Sequence, residues 1–212
     1  MSLLDTLPEP KILKRLMKIH ASLNIVLCPD DEWLRYHKFD PTWSDYVSMA
    51  KIDNGSGDHI FIVFSPQGAI IKGFDHESGL SPYAREEHEI WPGIYEGVPN
   101  LLFALLNDEA IESDDVTFCI WREISDSTWQ KGKVEIPEGE DDGLSYLVGS
   151  IFLTPEDFVQ FAQEYFELTP SLAIIKKIYD GVPITAEMIT KLNPECNVED
   201  VLHELELLNQ SK

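Results

Sequence analysis

Cysteine is scarce in this 212-residue chain, and its three copies, Cys28, Cys119 and Cys196, stand far apart with no CxxC pair. Neither a zinc knuckle nor a disulfide framework follows from that spacing, and free thiols suit a reducing cytoplasm. Basic residues are also few. Sixteen Lys and Arg face 38 Asp and Glu, for a net charge of −22 and a pI near 4.4. A field of that sign repels phosphate backbones and anionic lipid, so nucleic acid and membrane surfaces are not the expected partners. A basic protein partner, or solubility alone, accounts for the charge. No apolar run approaches the ~20 residues that span a bilayer. The opening MSLLDTLPEPKILKRL lacks the apolar centre and small-residue cleavage site of a signal peptide. Phosphate-cradling glycine loops and a GxSxG elbow are missing too; Ser56 and Ser78 stand in NGSG and ESG instead. The expectation is a soluble, cytoplasmic protein.

What is present is organised around residues 46–78, YVSMAKIDNGSGDHIFIVFSPQGAIIKGFDHES. Three short strands are predicted there, joined by two tight turns. Asn54-Gly55-Ser56-Gly57 supplies positive φ, and Ser65-Pro66-Gln67-Gly68 fits a type I turn. Ile60–Phe64 is apolar at every position, which predicts a central strand covered on both faces. Before this meander, residues 1–8 read as loose, and a helix opening at Pro8 and Pro10 carries Leu13, Leu16, Met17 and Leu23 at helical spacing. Its other face, with Lys11, Lys14, Arg15 and Lys18, is one of the few basic surfaces. From Cys28 to Asp45, two prolines predict a short extended piece and a loop.

After the meander, residues 77–99 have no periodicity and several prolines and glycines. A long irregular segment inside a domain is more often functional than filler. A short helix at Asn100–Asn107 and strands at Val116–Trp121 and Thr128–Val134 follow, then an acidic solvated loop, Glu135–Gly143. The rest reads as helical: Leu144–Leu153, a helix capped by Thr154, one opened by Thr169-Pro170, and two capped by Thr185 and Asn197. The fold class is therefore α+β, with an antiparallel sheet of about five strands, flanking helices and a helical C-terminal third. Two parts are expected: an α+β domain at 1–168 and a helical appendage at 169–212 packed on it.

The segments GFDHES (73–78), WPGIYEGVP (91–99), TFCIWR (117–122) and LNPE (192–195) resemble those of a group of uncharacterised bacterial proteins. The resemblance spans roughly residues 60–200 and implies a bacterial, cytoplasmic α+β protein, with no activity to carry over.

Candidate chemistry gathers around residues 75–89. Asp75 and His76 at a strand end, with Glu87 and His88 in the irregular segment, are residue types that hold a divalent transition metal for hydrolysis. Their spacing matches neither HExxH nor a zinc ribbon. The competing reading has Asp75 closing a turn while Glu87 and His88 are solvated. Cys119, flanked by Phe118 and Ile120, reads as a small core residue rather than the nucleophile of a dyad with His76. Trp91 and Tyr95 are candidate binding residues on a rigid aromatic loop, or pins holding that loop to the sheet. Arg122 is a candidate for a carboxylate, or for a local acid. Two functions follow. The first is a non-enzymatic acidic protein-binding module, an immunity- or antitoxin-like role being one version. The second is a metal-assisted hydrolase-like enzyme centred on Asp75, His76, Glu87 and His88. The absence of a complete catalytic constellation favours the first.

Overall fold

A computed structural model describes residues 3–210. Its centre is one antiparallel meander whose six strands run in sheet order β1 to β6. These are β1 (His37–Ser44), β2 (Val47–Asp53), β3 (His59–Ser65), β4 (Gly68–Phe74), β5 (Phe118–Glu123) and β6 (Gln130–Lys131). The α+β class holds, with one strand more than expected. The extra strand is β1, where two prolines had predicted an extended piece and a loop. Pro41 is tolerated because it sits on an edge strand at an irregularity between Asp40 and Ser44, where no ladder N–H is needed. The strand expected over Thr128–Val134 shortens to β6.

Strand alternation divides the sheet's side chains between two apolar clusters. Ala50, Ile52, Ile60, Ile62, Phe64, Ile71, Phe118 and Ile120 point one way. Val47, Phe61, Val63, Ile70, Cys119 and Trp121 point the other. β3 is buried from His59 to Phe64, as a central strand covered on both sides must be. Gly73 is paired with Phe118, whose ring lies where a β-carbon would stand, so only glycine fits there.

The first face is covered by helices. They are α2 (Pro10–Leu27), α4 (Leu144–Val148), α5 (Pro155–Tyr165), α6 (Leu172–Tyr179), α7 (Ala186–Leu192) and α8 (Val198–Leu208). Residues 3–6 form a single turn, α1 (Leu3–Thr6), within the stretch expected to be loose; residues 1 and 2 lie outside the described residues. Thr154, Thr185 and Asn197 cap α5, α7 and α8 by accepting a backbone N–H, as their sequences predict. α4 stops at Gly149 rather than running to Leu153, and α6 starts after Ser171 rather than Thr169. The helices of residues 172–208 bury Ile175, Ile189, Val201 and Leu205 in the same cluster as Leu13, Leu23 and the sheet. Arg35 ties this side together, donating to the Cys28 and Pro29 carbonyls and pairing with Glu204 on α8.

The second face is covered by residues 75–117, which contain a single short helix, α3 (Asn100–Phe103), and three 3-10 turns. Ile94, Leu102, Leu106, Ile111 and Val116 hang from this cover into the second cluster. The irregular segment thus covers the smaller of the two clusters, and it extends well beyond residue 99.

Candidate functional site

The polar residues after β4 meet the β2–β3 hairpin. Pairing of β3 with β4 sets His59 opposite Phe74, which brings Asp58 beside Asp75 and His76. One Asp58 oxygen accepts both the His76 backbone N–H (2.9 Å) and His76 Nδ1 (2.6 Å), and the other accepts from Asn54 Nδ2 (2.7 Å). Asp58 is buried, so three donors replace the water it lost. Those hydrogen bonds from His76 and Asn54 overcome desolvation and hold its carboxyl below the usual range. An acceptor at Nδ1 fixes the proton there and leaves Nε2 of the exposed His76 free. The same bond raises the affinity of His76 for a proton.

Asp75 is half-buried. Its carboxylate accepts the Glu77 N–H (3.0 Å), and its own N–H donates to Thr117 Oγ1 (3.2 Å). Burial, then the nearby charges of Asp58 and Asp141, push its carboxyl up. Ser78 Oγ donates to the Asp141 carbonyl and Thr117 Oγ1 to that of Asp142, while Asp142 pairs with Lys131. The acidic loop is therefore stitched over this corner, and Asp142 is buried rather than solvated.

The structure brings Asp75 and His76 together with Asp58. It does not bring Glu87 or His88 to them: the one trio of metal-capable groups among the described residues contains neither. Glu87 is exposed, and His88 bonds Asp115 through Nε2 (3.2 Å) while its ring meets Tyr83 edge-on. With Asp58 turned to hydrogen bonding, Asp75 and His76 Nε2 are the donors left to a cation, short of the three that catalytic zinc sites use.

Trp91 lies half-buried against the second cluster, with the Arg85 guanidinium 4.2 Å above its ring and Nε1 donating to the Glu135 carbonyl (3.3 Å). Tyr95 packs on Phe103 and donates to the Ser113 carbonyl (2.6 Å). Trp91 thus pins the cover to the segment beyond β6, while Tyr95 braces one part of the cover against another. Arg122 Nε donates to the Asp126 carbonyl (3.1 Å), closing the turn after β5. Cys119 is buried, and burial pushes its thiol up.

Three residues escaped the sequence. Asp58 is invisible as a partner until the β3–β4 register is known. Lys72 and His59 form a buried pair under the cover, and the signal was a lone lysine in the apolar run Ala69–Phe74. No protein-family model matches the chain, and no curated protein or solved structure matches it significantly.

Proposed function

We propose that the chain is an acidic protein-binding module that meets a basic partner with the cover over the sheet's second face. The observation that carries this is the cover's surface. α3 exposes Leu101 (68 %) and Phe103 (39 %), and acidic side chains follow at once at Asp108, Glu109, Glu112 and Asp114. Exposed apolar anchors within a rim of one charge sign are what a complementary partner recognises. An immunity- or antitoxin-like role in a bacterial cytoplasm is the version that fits the charge. Its test is a photo-crosslinking residue at position 101, with one at Leu207 on the helical side as control. A basic protein captured from position 101 alone, and lost in Glu109→Lys/Asp114→Lys, supports the reading. Equal capture from both positions, or indifference to charge reversal, overturns it.

A second reading, the hydrolase-like centre, is favoured by the Asp58–His76 bond. A carboxylate on Nδ1 orients an imidazole and strengthens Nε2 as a base or metal donor. Asp75 stands beside it, whereas the Ser78 hydroxyl is spent on a carbonyl. A thermal melt against divalent metals, run beside His76→Ala, decides it. A midpoint rise lost in the variant supports this centre, and no shift in either protein removes the metal from it.

A further inference from the structure

Lys72 is fully buried on β4 in the second apolar cluster, where an isolated ammonium is costly. Its Nζ donates to the Ile111 carbonyl (3.1 Å), lies 2.9 Å from His59 Nε2, and sits 5.2 Å from the centre of the Phe61 ring. The Ile111 carbonyl belongs to the cover, so this lysine ties the segment 107–116 to the sheet. The same imidazole nitrogen is approached by Glu112, whose Oε2 is 3.8 Å from His59 Nε2. Glu112 itself is held in left-handed backbone at φ 52°, a conformation that costs a non-glycine residue.

We propose that Lys72 and His59 form a proton-operated latch for residues 107–116: a single proton on the pair holds the segment against the sheet, and a second proton releases it. The geometry allows one donor and one acceptor across 2.9 Å. With Lys72 as ammonium, His59 Nε2 must be the bare acceptor. A second proton places two cations in hydrogen-bond contact among apolar side chains. Glu112 then offers the charged imidazole a better partner. Because Glu112 follows Ile111 directly, relaxation of its strained backbone draws the Ile111 carbonyl off Lys72.

The sign follows from linkage. Burial, then the charge of Lys72, holds His59 down at about 4 while the segment is closed, against an ordinary value of 6.5 when it is open. The contribution of His59 to closure is therefore complete above that ordinary value and is lost as pH falls toward 4. Burial also lowers Lys72 to about 7 from its ordinary 10.5, so its own pH dependence lies above the range in which His59 acts. The charged groups around the pair are Lys51 and Asp53 from β2, Glu112, Asp114 and Asp115 from the segment, and His88 through its bond to Asp115.

Hydrogen exchange of the full chain at pH 7 and pH 5, corrected for intrinsic rates, tests the latch through backbone protection and is independent of partner binding. Protection of 107–116 should fall on the order of tenfold at pH 5 while β3 and β4 hold theirs. His59→Gln keeps an acceptor for Lys72 but takes no proton, so its segment should stay closed at both pH values. Lys72→Met removes the tie, so its segment should be equally exposed at both. An unchanged wild type, the full drop persisting in His59→Gln or in Lys72→Met, or a drop abolished by His88→Asn, each overturns the proposal.

Discussion

The two faces of the sheet are covered in opposite ways. On one side, five of the helices packed there satisfy most of their backbone groups internally and lend the core a stripe each. Their polar intruders are locked in: His37 Nδ1 accepts from Asn24 Nδ2 and its Nε2–H donates to the Ser150 carbonyl, while His20 meets the Phe152 carbonyl and Tyr179. On the other side, short turns are closed by side chains, as where Ser81 and Asp108 accept N–H groups two residues on. The cover is then tied down at separate points by Trp91 and Lys72 and braced internally by Tyr95. A helical face loses its packing all at once, whereas a pinned cover can lift in parts. Cooperative and piecewise stability are thus assigned to different sides of one sheet.

Truncation should separate the two sides most strongly. Phe158 on α5 is fully buried at the centre of the helical side, and Phe158→Ala should cost about 3–5 kcal/mol in urea unfolding, with exchange rising across the whole sheet. Ile94→Ala on the cover should cost about 2–4 kcal/mol by the same rule, but its exchange increase should stay within 75–117. A global response to Ile94→Ala would make the two covers one cooperative unit.

Acid should strike both sides through different histidines. Desolvation holds His37 down at about 4, and burial, then His37 itself, pushes His20 well below its ordinary value. The unfolded chain binds these protons near 6.5, so stability falls as pH drops from there, and the part due to His37 levels off below about 4. His37 alone should supply a loss on the order of 3 kcal/mol. Buried His20 Nδ1 has no partner to receive a proton. Urea unfolding at pH 7 and 4.5 should show a smaller drop in His37→Gln than in wild type, and identical drops would place the acid sensitivity elsewhere.

Glycine chemistry offers a gentler way to lift the cover. Gly93 has φ 90°, and a β-carbon there would stand 2.1 Å from the Lys133 carbonyl oxygen. Gly93→Ala combines backbone strain with that clash and should cost about 1–3 kcal/mol. Trp91 fluorescence should shift toward that of an exposed indole while far-ultraviolet dichroism of the helical side is kept.

The same contrast explains what the sequence could say. The helical side speaks a periodic language, so Thr154, Thr185 and Asn197 were legible as caps and Phe158 and Val201 as buried stripes. The meander was legible because Gly55 and Gly57 take the positive φ its turn requires. The cover was legible only as irregular, since its order comes from single tertiary bonds that leave no period. β1 was hidden by Pro41, whose tolerance depends on being at an edge. Asp75 and His76 were visible as polar residues at a strand end, but Asp58 required the register.

That missing partner yields the smallest and most specific test. Asp58→Asn keeps the size of the side chain and an acceptor oxygen but removes the charge beside His76 Nδ1. The hydrogen bond to Asp58 is the main cause raising the His76 affinity for a proton, so the variant should titrate lower by proton magnetic resonance. The bond favours the folded state while His76 is charged and fades as pH rises through its folded value, so the two proteins should differ most in acid and in alkali keep only the pH-independent loss of the bond from Asn54. Because the imidazole is exposed, the pH-dependent part of the stability difference should be minor even where the titration shift is clear. An unchanged titration would mean that Asp58 merely caps a turn, and the hydrolase-like reading would lose the one group that tunes its base. A clear shift with the cover's exchange unaltered would show that the polar corner and the acidic face operate separately, as their separate ties to the sheet require.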